Sequence, residues 1–443
     1  MAAARRFRPA HLVALVLLAP PLYKLGEWAW PAPGPRKMDA RAVAAGGELF
    51  NHAWTAKDPL SSGDGLGPVF NATSCVACHF QGGAGGGGPV ENNVTVFGFA
   101  TAGPPDKKFP AIGVVHAKAI KPEFQETLSL VSPDLPGSPS IPLDRLLELT
   151  KSCGIPASVK ITQRNTPALF GDGLLDAIPE SLLYAEQRRN SSLARVAGLS
   201  RAKDARIRGR VALMPDGRLG RFGWKAEFAS LDDFVRAACA SELGLSNPSR
   251  PQAISLARRD YKSKGVDLSD AQCVLMGDFI RDLAAPVRAI PTDPSERARI
   301  EDGEKQFGAI GCADCHKPDL GTIKGFYSNL LLHDMGAELA SSTGTYGEPP
   351  SSIGNDGDKA PPSPSEWRTP PLWGVADSAP YLHDGRAPTL EGAIALHAGE
   401  AVDVVARFNQ LPPQSKGNIV AFLRTLRAPA QPRPRSIATT AAR

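Results

Sequence analysis

The sequence predicts a mainly α-helical protein built from two similar helical domains, the first of which is enlarged by an insertion. Three observations predict this architecture. The chain has 443 residues, enough for two or three domains. A set of sequence landmarks occurs twice in the same order. Apolar residues at helical spacing accompany each set, and abundant glycine (43) and proline (41) predict many loops between helices of modest length.

The first element is an export signal over residues 1–33. Arg5, Arg6 and Arg8 precede an uncharged run at 9–23. A basic segment followed by a short apolar stretch is typical of a secretory signal, and this run is shorter than the ~20 apolar residues that span a bilayer. We therefore expect a periplasmic protein, with the signal either cleaved or retained as an N-terminal anchor. Retention would provide the protein's only contact with the membrane.

The repeated landmarks define the two domains. Each set has a helix that ends in a Gly-Glu motif, then a Cys-x-x-Cys-His pentapeptide, an Arg-x-x-Pro element and a closing helix of similar sequence. These landmarks lie at 47–50, 75–79, 164–171 and 279–286 in the first set, and at 303–307, 312–316, 368–374 and 422–429 in the second. We predict domains over 40–287 and 295–429, a proline-bearing linker at 287–294, and a disordered tail at 430–443.

The insertion enlarges the first domain between its pentapeptide and its closing helix. Residues 210–224 predict a β-hairpin that turns at 215–217. Residues 172–183 and 230–243 predict helices. The glycine run at 82–88 predicts a flexible loop directly after the first pentapeptide.

Four of the seven cysteines fall in the two pentapeptides. Cys-x-x-Cys-His is the attachment signature of c-type haem: two thiols one turn apart reach the two vinyl groups of a porphyrin, and the histidine lies under the iron as a ligand. A redox dithiol would not need the histidine, and a zinc site would need the two pairs to converge. We therefore predict two covalently bound c-type haems in cytochrome-c-like domains. The attachment residues are Cys75, Cys78, His79, Cys312, Cys315 and His316.

The remaining cysteines are Cys153, Cys239 and Cys273. In an oxidising compartment they predict one disulfide and one free thiol. The sequence does not indicate which pair forms the disulfide.

The ligand on the second side of each iron decides the function, because a second strong ligand makes an electron-transfer haem and an open site permits peroxide chemistry. For the second haem the leading candidate is His397, at a helical register with Leu390 and Ile394, followed by Met335. His333 and His383 lie in the same two stretches and are further candidates. For the first haem the only evident candidates are His116 and Met214. This asymmetry predicts an electron-transfer second haem and an accessible first haem.

The motif order resembles a known group. Arg-Thr-Pro-Pro-Leu-Trp-Gly at 368–374, followed by Tyr-Leu-His-Asp-Gly-Arg-Ala-Pro-Thr-Leu-Glu at 381–391, is similar to the bacterial di-haem cytochrome c peroxidase and MauG superfamily. The segments 220–226, 330–336 and 397–401 are similar to di-haem oxidoreductases described as peroxidases or thiol oxidoreductases. The resemblance covers residues 40–429.

The resemblance implies roles for several residues. His397 occupies the position that ligates the second haem, which implies His316/His397 ligation. The first haem would be the peroxide site, served by an acid after the first Arg-Asn-x-Pro element. Glu180 is the candidate acid/base in that stretch, and Arg164 is a second candidate catalytic residue.

The chain departs from the family pattern in ways that matter. The family places a tryptophan between the haems where this chain has Leu174 and Leu175, so an electron relay would use Trp224 or Trp373, or direct tunnelling. The family's glutamine has no clear counterpart. Asn165 matches an asparagine that helps to hold the family's interdomain calcium, which leaves Ca²⁺ open as a further cofactor.

We therefore predict an oxidoreductase that takes electrons from a small periplasmic donor, a c-type cytochrome or a cupredoxin, and passes them through the second haem to peroxide at the first. The alternatives are a MauG-like enzyme that modifies a protein or small molecule and a pure electron carrier. The net charge of +5 does not favour nucleic-acid binding. A basic segment at 188–225 predicts either a docking surface for an acidic partner or a solvated face.

Overall fold

The computed structural model describes residues 38–99, 110–135, 137, 141–152, 159–191, 195–199, 206–347, 354 and 357–430. The predicted signal at 1–33 lies outside the described residues, as does the predicted tail apart from residue 430. Within the described ranges, every helix is too short or too polar to cross a bilayer.

Helices form the larger part of the regular structure of the described residues. The helices are α1 Ala40–Asn51, α2 Leu143–Ser152, α3 Asp172–Asp176, α4 Glu180–Asn190, α5 Leu231–Glu242, α6 Asp270–Asp282, α7 Pro294–Ile310, α8 Leu390–Ala395, α9 Val402–Gln410 and α10 Pro413–Leu423. The strands are β1 Val69–Phe70, β2 Val94–Phe99, β3 Ile112–Val115, β4 Lys118–Ala119, β5 Val159–Arg164, β6 Ala212–Leu213, β7 Leu219–Gly220, β8 Leu332–Asp334 and β9 Glu366–Arg368.

Two helix pairs reproduce the sequence repeat in three dimensions. Helix α1 packs on α6, and α7 packs on α10. A glycine lies at each crossing, where the backbones approach so closely that a Cβ atom has no room. A Cβ on Gly46 would lie 1.9 Å from the carbonyl oxygen of Leu275, and one on Gly303 would lie 1.9 Å from that of Asn418. The Gly-Glu landmarks therefore mark the helix crossings.

Substituting Gly303 tests this packing. We expect Gly303→Ala to lower the free energy of unfolding by roughly 1–3 kcal/mol, because the new methyl group must push α7 away from α10. Gly308 is the matched control, because it lies in the same helix and a Cβ there would meet nothing within 4 Å. Gly308→Ala should be neutral or stabilising by up to about 1 kcal/mol, from helix propensity alone. Thermal unfolding of both variants checks the prediction, and equal effects would show that the crossing tolerates a side chain.

The insertion contains the predicted hairpin and a sheet that was not predicted. Strands β6 and β7 pair across a turn at Gly217 (φ +87°), as expected from the sequence. Strands β3, β2 and β5 form an antiparallel sheet in that order. The helix predicted over 172–183 is wrong as a single element: it is α3 and α4, separated at Pro179, which cannot donate an amide hydrogen to a continuing helix.

The apolar core is divided among clusters that follow these elements. The largest cluster surrounds the first pentapeptide and includes Phe50, Trp54 and Met276. A second cluster surrounds the second pentapeptide and includes Phe307 and Phe422. A smaller cluster, with Phe97 and Leu146, packs around the sheet. The division into domains at 40–287 and 295–429 remains a prediction.

Candidate functional site

The larger of the two cavities that contain the pentapeptides is lined by two imidazoles that lie close to each other. The rings of His316 and His397 have centroids 6.3 Å apart and are inclined by 61°, and both line a mainly apolar cavity. Bonds from a metal to imidazole nitrogen are about 2 Å long, so one ion bound to both rings fits the gap between them. The spacing is that of two axial ligands.

Hydrogen bonds leave the same nitrogen available on each ring. Nδ1 of His316 lies 3.1 Å from the carbonyl oxygen of Tyr327, and Nδ1 of His397 lies 2.7 Å from that of Ala393. Because a carbonyl oxygen only accepts, each Nδ1 carries the proton and Nε2 keeps its lone pair. Burial, reinforced by His397, lowers the pKa of His316 to about 3, and burial lowers the pKa of His397 as well. Both rings are thus neutral, the state that binds a metal.

The remaining predicted residues of the second site lie in the same cavity. Cys312 and Cys315 line it beside His316, on a tight turn that follows the left-handed Gly311 (φ +102°). Met335, the alternative ligand, also lines the cavity, but His397 is the side chain that faces His316. The thiols, the neutral imidazoles and the apolar wall together fit a porphyrin with two axial histidines.

A smaller cavity contains the first pentapeptide. This cavity is the smaller of the two, and Cys75, Cys78 and His79 all line it. Nδ1 of His79 donates to the carbonyl oxygen of Gly86 at 3.2 Å, and burial lowers the pKa of His79 to about 4. Among the described residues that line this cavity, His79 is the only histidine. The two cavities are therefore unequal.

The two sequence candidates for a second ligand at His79 do not lie in this cavity. Both ring nitrogens of His116 are engaged, Nδ1 with Glu126 and Nε2 with the carbonyl oxygen of Ser241, each at 3.0 Å. Burial disfavours the charged ring, but the Glu126 carboxylate raises the pKa of His116, so both nitrogens act as donors. Met214 lies at the end of β6, and it is not among the lining residues.

Glu242, which the sequence analysis missed, lines the smaller cavity. Its Oε2 accepts a hydrogen bond from Asn71 at 2.8 Å, whereas its buried Oε1 has no partner among the described residues. Burial raises the pKa of Glu242 to about 7, although the Asn71 hydrogen bond and the charge of His116 lower it. Glu242 therefore exchanges protons near neutral pH. The sequence contained an indication of this role, because Glu242 follows Val235 and Cys239 at helical spacing. All three side chains therefore lie on the face of the helix that lines the cavity.

Glu180, the predicted acid/base, does not lie at either cavity. It begins α4, where its Oε1 accepts a hydrogen bond from the amide of Leu219 at 2.8 Å, and its side chain is 41% exposed. Pro179 starts a new helix at this point, which carries the carboxylate away from the cavity wall. Glu180 thus anchors the hairpin, a position that does not support the catalytic role predicted for it.

Arg164 lines the smaller cavity but has no donor left for a substrate. Nε donates to Gly344, and Nη1 donates to Gln163 and Thr162. Nη2 donates to Ser341 and Thr343 at 2.7 Å each. Because all five N–H groups are used, Arg164 ties β5 to the loop at 341–344. This arrangement favours a structural role for Arg164 over the predicted catalytic one.

The two cavities adjoin. Residues 165–167, Phe234 and Thr345 line both of them. Trp224 lies against this shared wall, with Nε1 donating to the carbonyl oxygen of Asn165 at 3.0 Å. Trp373 also lines the larger cavity and packs edge-on against Phe326. Both candidate relay residues therefore lie at the larger cavity, and Trp224 contacts the wall itself.

The structure excludes one of the possible disulfides and leaves calcium as a prediction. Cys239 and Cys273 are free, buried thiols and not a disulfide, and Cys153 lies outside the described residues. Nδ2 of Asn165 donates to Asn93 at 3.2 Å, and the described residues contain no cluster of three acid, histidine or cysteine side chains for a metal. Calcium remains a prediction.

The basic segment at 188–225 is partly neutralised within the described part of the fold. Several of its arginines form ion pairs, and Lys225 is buried. The pairs are Arg189–Glu186, Arg206–Asp403, Arg210–Glu366, Arg218–Asp216 and Arg221–Glu180. These contacts favour the interpretation of the segment as an ordinary surface.

Comparison with known proteins identifies a family. Residues 148–426 match the family described as "Di-haem oxidoreductase, putative peroxidase". Comparison with curated proteins gave no significant match.

Comparison with solved structures gave matches at low identity and low TM-score. Hydrazine synthase of Kuenenia stuttgartiensis is 14% identical with a TM-score of 0.42, covering 96% of this chain and 100% of its own. The diheme peroxidase BthA of Burkholderia thailandensis is 16% identical with a TM-score of 0.30, covering 90% and 88%. A MauG-like protein associated with microbial copper homeostasis is 18% identical with a TM-score of 0.29, covering 57% and 90%.

Proposed function

Because the chain belongs to the di-haem oxidoreductase family and is an oxidoreductase, we propose that it is an exported, peroxidase-like enzyme with two c-type haems at unequal sites. Cys75 and Cys78 would hold the first haem, with His79 as its ligand. Cys312 and Cys315 would hold the second, with His316 and His397 as ligands. When bound, the haems supply the path for electrons from a small periplasmic donor, through the second site, to peroxide at the first.

The observation that carries this proposal is the difference between the cavities. Opposite His316 stands a second imidazole, that of His397, and one iron held between them would have a histidine on each side. Opposite His79 the described lining residues offer no histidine. A haem site with two histidines suits electron transfer, and a haem site with one histidine suits substrate chemistry. A pure electron carrier would not need a haem site with a single histidine.

Glu242 takes the role of acid/base in this proposal. Its Oε1, which has no partner among the described residues, would accept a proton from one oxygen of hydrogen peroxide and return it to the oxygen that leaves as water. Asn71 fixes the other carboxylate oxygen. A pKa of about 7 allows both protonation states to be reached near neutral pH.

Trp224 is the best placed of the tryptophans to connect the two sites. It donates to the shared wall at Asn165, and the described residues place no cation over its ring. Trp367, by contrast, lies beneath the ammonium of Lys225 at 4.0 Å and the guanidinium of Arg164 at 5.1 Å. Nearby positive charge opposes removal of an electron from an aromatic ring, so Trp367 is a poor relay.

A stopped-flow experiment tests the proposed function. The half-reduced holoprotein is mixed with hydrogen peroxide and a reduced small c-type cytochrome. We expect rapid oxidation of the cytochrome, with consumption proportional to peroxide. Haem staining of the denatured wild type and of the Cys75→Ala and Cys312→Ala variants checks covalent attachment. Absence of donor oxidation by a fully haem-loaded protein would exclude the peroxidase reaction.

A further inference from the structure

One part of the larger cavity, here called the inner lobe, contains an arginine with a nitrogen that lacks a hydrogen-bond partner among the described residues. This lobe borders the wall shared with the smaller cavity, and we define it by its lining residues Asp172, Leu175, Phe222, Trp224 and Arg368. The lobe is mostly apolar apart from one acid and one guanidinium. Its polar groups therefore decide what kind of ligand it accepts.

Arg368 is under-used as a hydrogen-bond donor. Its Nε donates to the carbonyl oxygen of Gly223 at 2.8 Å, and within the described residues no hydrogen bond involves its other four N–H groups. Nη1 is buried without a partner. Arg164, at the matching position of the first repeat, uses all five donors. Buried arginine donors are normally paired, so a partner is missing at Arg368.

The charge of Arg368 is also not balanced by a direct ion pair. No carboxylate of the described residues lies within salt-bridge distance of it. Asp172 and Glu227 are the acids whose charges act on it through space. Burial raises the pKa of Asp172 to about 8, against the lowering effect of Arg368. Glu227 accepts from Thr345 at 2.5 Å and from the amide of Lys225 at 2.9 Å. The lobe therefore presents a cation beside a protonated carboxyl group.

We propose that the inner lobe is a carboxylate-binding subsite, in which Arg368 donates to the two oxygens of a ligand carboxylate and Trp224 flanks the ligand. A planar guanidinium with free donors matches a carboxylate better than any other group. Protonated Asp172 can donate a further hydrogen bond. The carboxylate has two chemical sources, a propionate side chain of haem or a small organic acid that enters as substrate, and the haem source rests on the proposed function.

The test compares Arg368→Met, Arg368→Lys and Arg424→Met in haem-loaded protein. Arg424 is the matched control, because it is a surface arginine with a 68% exposed side chain. The first readout is calorimetric titration with benzoate and succinate. The second readout is the state of the haem, measured as the haem-to-protein ratio and as the pH dependence of the second haem's reduction potential. Neither readout depends on turnover, so failure of this proposal is distinguishable from failure of the peroxidase reaction.

The outcomes separate the two sources. Saturable binding of a probe acid that weakens by roughly 10-fold to 100-fold in Arg368→Met, with an unchanged haem spectrum, supports a substrate carboxylate. Absence of probe binding together with a potential or haem content altered in Arg368→Met, and not in Arg424→Met, supports a haem carboxylate. If Arg368→Met matches the wild type in every readout, the proposal is wrong.

The lysine variant keeps the test decisive where Arg368→Met fails to fold. Lysine preserves the charge and loses the two-pronged geometry. We then expect Arg368→Lys to load haem and to show a weaker probe affinity or a shifted potential relative to Arg424→Met. Wild-type values in all readouts for Arg368→Lys would overturn the role of the guanidinium.

Discussion

Replacing His397 by methionine is expected to raise the reduction potential of the second haem by on the order of 0.1 V or more, within the range of about 0.8 V that axial ligands span. The reason lies in the facing imidazoles, whose centroids are 6.3 Å apart. A thioether sulfur donates less electron density to iron than a neutral imidazole does, which destabilises the oxidised state. The hydrogen bond from Nδ1 of His397 to Ala393 strengthens that donation in the wild type.

Spectroelectrochemical titration measures this shift, and Met335→Leu is the matched control. Met335 lines the same cavity without facing His316, so its loss should leave the potential near the wild-type value. His397→Ala removes the ligand without offering a new one, and should abolish the low-spin signal of the second haem. A large shift in Met335→Leu with no shift in His397→Met would identify Met335 as the ligand instead.

Glu242→Gln is expected to lower peroxide turnover by roughly 10²–10⁴-fold, the usual contribution of a general acid/base. The amide preserves the shape of the side chain and its contact with Asn71, but it cannot move a proton. Haem content and the spectrum of the second haem should stay unchanged. Glu180→Gln is the control, because Glu180 is an exposed carboxylate outside both cavities, and it should retain near wild-type activity.

The pH dependence provides a second test of Glu242. The carboxylate must be ionised in the free enzyme to accept the first proton from peroxide, and burial raises its pKa to about 7. In the wild type, kcat/KM for peroxide should therefore fall as the pH drops below about 7, approaching tenfold per pH unit. Glu242→Gln should have lost this dependence. A wild-type profile that is flat between pH 5 and 8 would contradict the assignment.

Local motifs in the sequence were enough to predict the placement of His316 and His397. The pentapeptide fixes the first of these, and the helical register with Ile394 turns the second toward the same core. Both depend on contacts within one segment or on a repeated pattern. The hairpin at Gly217 was predictable for the same reason, because its turn residues are adjacent in sequence.

The assignments that the structure does not support depend on contacts between distant segments. Glu180 follows the Arg-Asn element closely in sequence. A new helix begins after Pro179, and the amide of Leu219 donates a hydrogen bond to the carboxylate of Glu180. Glu242 is far from that element in sequence and reaches the cavity only because α5 lies along the wall. The two repeat arginines look alike in sequence, yet the loop at 341–344 satisfies Arg164 and leaves Arg368 incomplete.

The two glycine crossings also explain how the first half can be so much longer than the second. Gly46 meets Leu275 after 229 residues, and Gly303 meets Asn418 after 115 residues. The entropy lost on closing a loop grows only with the logarithm of its length, so a twofold longer loop costs about 0.6 kcal/mol more. New chain can therefore be added inside such a closed loop at little thermodynamic expense. In this protein that added chain carries the hairpin, Trp224 and Glu242.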